Sequence, residues 1–308
     1  MSDDPFAALP EKDRAPASAR VLEQWVRQAS VALGTSAART GWILASTIVV
    51  AALQRALGQD QQPLFLLKGG VYLERRLGAS ARATRDVDTL FRGSVDEFVL
   101  ALDEVLAQPW GPVTLSRTPI QTINAPRIVK PRRFDVLLAL RGITWRRVQV
   151  EVAFDDGQIR EHSDRIAAPS TDFFGIQTPD ALVGIAMAYQ VAQKLHACTD
   201  PHEPPTFVND RVRDLVDLLS IKHAYYPTPG SLDVVRKAAI DVFQARAVEA
   251  TQIGRHPRSW PPTIVTNPLW ANTFETPAEQ AGVSSTLDEL IIELNEWITA
   301  IDNARPWN

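Results

Sequence analysis

The sequence predicts an α+β protein whose second half is mainly helical, and three observations carry that prediction. Apolar residues recur at helical spacing through Ala19–Leu33 and Trp42–Leu57. Between Pro63 and Phe154 short apolar runs and period-two alternation take over. Beyond Thr178 the helical spacing returns.

The elements follow in order. "PLFLL" (Pro63–Leu67) is a short apolar run, read as a buried strand, and Gly69 and Gly70 punctuate it. Leu73 and Leu77 place a helix over Val71–Leu77, which Gly78 stops. "TRDVDTLF" reads as a second strand, and Ser94–Gln108 as a helix with Ser94 and Glu97 in capping-box positions. "RFDVLLALR" and "WRRVQVEVAF" flank "GIT", a hairpin around Gly142. Thr178-Pro179-Asp180 signals a helix start, followed by Ala181–Ala197, a nearly uncharged helix whose one charge is Lys194. Further helices are expected over Arg211–His223 (capped by Asn209 or Asp210), Ser231–Ala247, a short stretch from Thr276, and Leu287–Ile301. Arg255–Trp270 is a Pro-rich loop. The expected organisation is a flexible tail over 1–18, a core lobe over 19–160 and a helical lobe over 161–308, meeting near Gly157–Thr178.

The chain has 308 residues, 45% hydrophobic residues and a net charge of −4. That balance argues against a general nucleic-acid coat, but it conceals a local one. Gly111–Val150 holds eight Lys/Arg against Asp135 alone, a strip that suits a localised polyanion or a solvated face. Cys198 is the only cysteine, so an internal disulfide and a Cys-based zinc cluster are excluded. The acidic, Pro-rich start has neither a signal peptide's apolar core nor a membrane span, so a cytoplasmic protein with no membrane partner is expected.

Asp86 and Asp88 are two apart, so on a strand they share a face. Two adjacent carboxylates repel unless a cation lies between them, and Mg2+ takes one or two carboxylates together with substrate phosphates. Pairing with Arg82, Arg85 or Arg92 is the plainer alternative. Glu151, in an otherwise apolar strand, is expected to be buried and to serve as a third metal carboxylate or as a partner for Arg147 or Arg133. Asp135 is its substitute. Lys68 ends an apolar strand before two glycines that let backbone N–H groups approach a phosphate, or that simply make a tight turn. Lys194 on a buried helix needs an anion, either an internal acid or a ligand phosphate. Asp214 and Asp217 share a helix face and would orient that lysine, act as a base, or pair with Arg211 and Arg213. His196 and His202 lack further ligands nearby, and no Ser/His/Asp constellation stands out.

In this order, "LLKGGVYLERRLGASARATRDVDTLF", "AQKLHACTDP" and "NDRVRDLVDLLSI" resemble the AbiEii/AbiGii-type nucleotidyltransferase toxins, the group that includes the mycobacterial MenT toxins. The likeness runs from Trp42 to Lys222. It implies a DNA polymerase β-like nucleotidyltransferase core with a helical C-terminal lobe. It also implies a toxin that uses a nucleoside triphosphate and Mg2+ to add nucleotides to the 3′ end of tRNA, blocking aminoacylation and growth. An antitoxin encoded nearby would oppose it. Carried onto this chain, the first motif's glycines fall on Gly69 and Gly70 beside Lys68. The metal carboxylates fall on Asp86 and Asp88, and a hydroxyl that is commonly serine falls on Thr84. The triphosphate lysine falls on Lys194 and the final acid on Asp214, with Asp217 as its alternative. The resemblance gives the basic strip a use: Arg127, Lys130, Arg132, Arg133, Arg146 and Arg147 would follow an RNA backbone. The rival expectations are a protein or small-molecule acceptor, and a non-catalytic RNA-binding module.

Overall fold

A computed structural model describes residues 4–78, 81–154, 158–228 and 232–305. The fold is α+β, as expected. The chain divides into two units. The first comprises Met1–Gly78, Thr84–Asp155 and Ser163–Gly184; the second comprises Ala79–Ala83, Asp156–His162 and Ile185–Asn308. The division is therefore not the expected cut at 160/161, because residues 163–184 belong with the sheet.

The first unit opens with helices α1 (Ala19–Ala32) and α2 (Ala37–Leu53), capped by Ser18 and Ser36. Strand β1 (Phe65–Lys68) runs directly into α3 (Gly69–Leu77). There follow β2 (Asp86–Phe91), α4 (Val95–Leu106), β3 (Thr114–Arg117), β4 (Gln121–Thr122), β5 (Arg132–Leu140) and β6 (Ile143–Phe154). Ser94 and Glu97 form the expected capping box on α4. The β5–β6 hairpin turns through Arg141 and Gly142, both at positive φ, as a two-residue turn between paired strands requires. After β7 (Ser163–Ile166) and β8 (Leu182–Ile185) the sheet order is β3-β5-β6-β2-β1-β8-β7, with β4 on β5.

Strand alternation gives this sheet two chemically different faces. One face carries Val87, Phe91, Phe134, Val136, Val150, Val152 and Phe154, all buried. There Phe98 of α4 meets the rings of Phe91 and Phe154 with centroids 5.4 and 5.6 Å away. The other face carries Asp86, Asp88, Gln149, Glu151, Arg133 and Asp135 in adjacent register.

Three expectations change. The tail expected to be loose is packed: Phe6 is buried and its ring lies 5.1 Å from that of Phe174. The backbone joins in, since Lys12 N–H donates to the Asp172 carbonyl and Ser170 N–H to the Asp4 carboxylate. "ALVGI" is not the start of a long helix but strand β8, which pairs parallel with β1. Gln54 explains why. Its side chain accepts from Val183 N–H and donates to the Val183 and Phe65 carbonyls, which satisfies the strand's backbone. Gly184 also faces Tyr72 so closely that a β-carbon would lie 2.4 Å from the ring. Thr178, expected to cap a helix, instead accepts from Thr171 N–H and donates to Asp172, closing a loop before β8.

The second unit contains helices α5 (Met187–Cys198), α6 (Val212–Tyr225), α7 (Leu232–Gln252), α8 (Pro268–Thr273), α9 (Glu275–Gln280) and α10 (Leu287–Asn303). The expected helix start at Ser231 lies outside the described residues. Asn209 does not cap α6 in the usual way. Its Oδ1 accepts from Arg211 N–H, and its amide holds the Ala197, Cys198 and Asp200 carbonyls. Among the described residues no single helix is long and apolar enough to cross a membrane.

Candidate active site

The turn from β1 into α3 is built around Asp88 of β2 and Thr84 just before that strand. Lys68 is the register partner of Asp88 across the antiparallel β1–β2 pair. Gly69 has φ +64°, where a side chain is strained, and a β-carbon there would lie 2.2 Å from Asp88 Oδ2. Gly70 faces Thr84 in the same way, 2.6 Å from Oγ1 and 2.7 Å from Cβ. The second glycine is thus needed for the approach of Thr84, and Thr84 Oγ1 lies 3.5 Å from the Asp86 carbonyl. Helix α3 is short, and its first turn carries no acid that would compete with a bound anion.

Asp86 and Asp88 are half-buried on one sheet face. Gln149 Nε2 donates to Asp86 Oδ1 at 2.8 Å, a partner that spacing did not suggest. Of the arginines expected as alternatives, Arg82 pairs with Asp217 and Arg92 with Asp60.

Glu151 stands beside Asp88 in the parallel β2–β6 register. It is not buried as expected: its side chain is 28% exposed, and Oε1 accepts from Arg133 Nε at 2.9 Å and Nη2 at 2.6 Å. Among the described residues no group of three or more His, Cys, Asp or Glu is arranged to hold a metal. The pair Asp86/Asp88 still fits Mg2+, a hard cation that takes few protein oxygens and completes its shell with phosphate and water.

Part of the basic strip is ion-paired within the protein. Arg146 donates to Glu23 at 2.8 Å, Arg147 pairs with Asp135, and Arg133 pairs with Glu151. Lys130 reaches the Asn124 side chain, and Arg132 donates to the Lys130 carbonyl. The Arg133–Glu151 pair is one of the alternatives the sequence offered, whereas Glu23 on α1 lies outside any linear count.

The second unit holds a separate charged centre. The buried ammonium of Lys194 donates to Asp214 Oδ1 at 2.5 Å and to Asp217 Oδ2 at 2.7 Å. Arg82 closes the far side of Asp217 through two bonds of 3.1 Å. Burial opposes the charge on Lys194, yet the coulombic pull of Asp214 and Asp217 holds its pKa above the ordinary lysine value. Burial likewise opposes ionisation of Asp214, but Lys194 and Arg211 keep it below the usual carboxylate range. An acid so held is a poor proton acceptor, so its geometry suits orienting Lys194 rather than acting as a base. His196 lies against Arg258, and His202 accepts from Asn209 N–H, so both histidines have structural partners.

Comparison with known proteins places the chain in a family. Residues 51–294 match the family described as nucleotidyl transferase AbiEii toxin of type IV toxin–antitoxin systems. The chain belongs to that family, and it is a nucleotidyltransferase toxin of a type IV system. Among solved structures it is similar to MenT4, a nucleotidyltransferase toxin from Mycobacterium tuberculosis. That likeness has 16% identity, a TM-score of 0.48, and covers 94% of this chain and 99% of that one. It is also similar to JHP933 from Helicobacter pylori at 13% identity and a TM-score of 0.43, covering 84% and 89%. No protein with a curated description matches it.

Proposed function

We propose that the protein transfers nucleotides from a nucleoside triphosphate to the 3′ end of tRNA in a Mg2+-dependent reaction, blocking aminoacylation. The observation that supports this most is the fit of Gly69 and Gly70 to Asp88 and Thr84, which leaves two carboxylates side by side at a helix start. The bond from the RNA 3′-oxygen to the α-phosphorus forms as the bond to the β-phosphate bridge breaks. Pyrophosphate leaves, and the hydroxyl proton goes to solvent. Bound at Asp86 and Asp88, Mg2+ would supply charge neutralisation at the phosphates.

Each residue of the site has a proposed role. Asp86 and Asp88 bind the metal, with Asp86 oriented by Gln149. Lys68 and the N–H groups at Gly69 and Gly70 bind phosphate, and Thr84 lines the same turn. Lys194 contacts the triphosphate: an ammonium has three N–H bonds, and Asp214 and Asp217 take two. Asp214 holds it in place. Glu151 is an auxiliary metal carboxylate that must exchange Arg133 for the cation. Arg127, Lys130, Arg132, Arg133, Arg146 and Arg147 contact the RNA backbone, and Arg133, Arg146 and Arg147 must loosen their carboxylate partners to do so. Cytoplasmic action and control by a nearby antitoxin complete the reading.

Incubation with total tRNA, Mg2+ and each labelled triphosphate in turn, followed by 3′-end sequencing, tests it. Added nucleotides that disappear in Asp86→Ala and Asp88→Ala are expected. Label in protein rather than RNA, or no transfer of any nucleotide, would overturn the acceptor or the activity respectively.

A further inference from the structure

Helix α3 touches the approach to β2 at a third point besides Gly69 and Gly70. Glu74, one turn further along, has a side chain only 1% exposed. Its Oε1 accepts from the backbone N–H of Thr84 at 2.9 Å and from Arg39 Nη1 at 2.5 Å. Thr84 is therefore held twice by one helix: Gly70 admits its side chain, and Glu74 takes its main-chain donor. Thr84 stands two residues before Asp86, and Gly69 of the same helix meets Asp88. A nine-residue helix thus sets the path of the segment that delivers both carboxylates.

We infer that Glu74 is a positioning residue for nucleotide transfer, acting through the Thr84 amide to hold Asp86 and Asp88 in register with the α3 turn. The inference rests on the proposed nucleotidyltransferase reaction at these carboxylates. Its physical basis is reach. A carboxylate on a buried helix accepts a main-chain N–H with little freedom, so displacement of the acceptor by one methylene breaks the bond and frees the loop. Misplacement of a reacting group by about 1 Å costs on the order of a hundredfold in rate. Glu74 itself touches neither substrate nor metal. Arg39 shares the same oxygen, so an ion pair that only stabilises α2 against α3 is the competing explanation.

Two variants separate the two roles. Glu74→Asp draws the shared oxygen back from the fixed Thr84 amide while the long, partly exposed Arg39 side chain follows the charge, whereas Glu74→Gln keeps an acceptor oxygen at full reach and loses the charge. Positioning through Thr84 predicts that Glu74→Asp lowers kcat by about tenfold or more, and weakens Mn2+ binding, read by electron paramagnetic resonance, by a similar factor. Glu74→Gln stays within about threefold of wild type in both, as does Arg39→Ala, which removes the ion pair alone. The reverse order, with Asp tolerated and Gln or Arg39→Ala impaired, would show an ion pair and overturn the inference. Full activity and Mn2+ affinity in Glu74→Asp would overturn it while leaving the proposed reaction standing. A wild type that neither binds Mn2+ nor transfers nucleotide would overturn both.

Discussion

Gly69 and Asp88 approach so closely that no side chain can stand between them: a β-carbon on Gly69 would lie 2.2 Å from Asp88 Oδ2 and 2.9 Å from Asp88 Cβ. The clash involves the base of the Asp88 side chain as well as its tip, so a rotamer change alone does not relieve it. Gly69→Ala adds a left-handed backbone at φ +64°, which costs a non-glycine residue about 1–2 kcal/mol. The variant is expected to melt a few degrees lower and to lose nucleotide transfer by more than about tenfold. Thermal melts and tRNA labelling check both.

Asp86 and Asp88 are proposed to act on chemistry rather than on folding. They are half-buried on the polar face, away from the aromatic core. Asp86→Asn and Asp88→Asn are expected to melt within about 1 kcal/mol of wild type while losing transfer by about a hundredfold or more. Gln149→Leu, which removes the donor to Asp86, is expected to show a smaller loss, near tenfold. Calorimetry and single-turnover labelling distinguish these outcomes.

Lys194 behaves as a buried charge with two partners. Lys194→Ala leaves Asp214 and Asp217 facing each other in a buried setting, which costs roughly 3–5 kcal/mol. The pH dependence has a definite sign. Asp214, depressed in the folded state, contributes stability that is present above its ordinary carboxylate value and lost as pH falls through its folded one. Lys194, raised in the folded state, contributes stability that is present below its ordinary value and lost only at strongly alkaline pH. The Lys194-dependent part of stability is therefore flat from mildly acidic to mildly alkaline pH and falls at the acid end. Chemical denaturation of wild type and Lys194→Ala across pH measures it.

Glu151 has a cationic partner in Arg133, and the exposure of both side chains keeps that pair cheap. Glu151→Gln is expected to change stability by less than about 1 kcal/mol. Its loss of transfer is expected to be smaller than that of Asp88→Asn, because Glu151 would have to release Arg133 before it could reach a metal. Titration of activity with Mg2+ checks this, with a rightward shift expected in Glu151→Gln.

RNA affinity discriminates among the basic residues. Lys130→Ala and Arg132→Ala are each expected to lower tRNA affinity and to reduce the salt slope by about one. Arg146→Ala is expected to change the slope by less than one and to lower stability as well, because Arg146 is tied to Glu23 of α1 and packs against Gly41 of α2. Filter binding across a salt series separates the two classes.

The α+β class, the capping box at Ser94, the hairpin at Gly142 and the shared face of Asp86 and Asp88 are all legible in the order of residues. Each follows from local periodicity or from turn chemistry within a few residues. Packing, by contrast, makes "ALVGI" a strand, since its β state depends on Gln54 and on the neighbouring strand β1, more than a hundred residues away. Packing also selects which acids Lys194 meets, requires glycine at position 70, and pairs Arg133, Arg146 and Arg147 of the basic strip. No spacing rule pointed to Glu74 or Gln149, because a polar side chain reveals its purpose only when its hydrogen-bond partner is known. That partner is supplied by the three-dimensional arrangement rather than by neighbours along the chain.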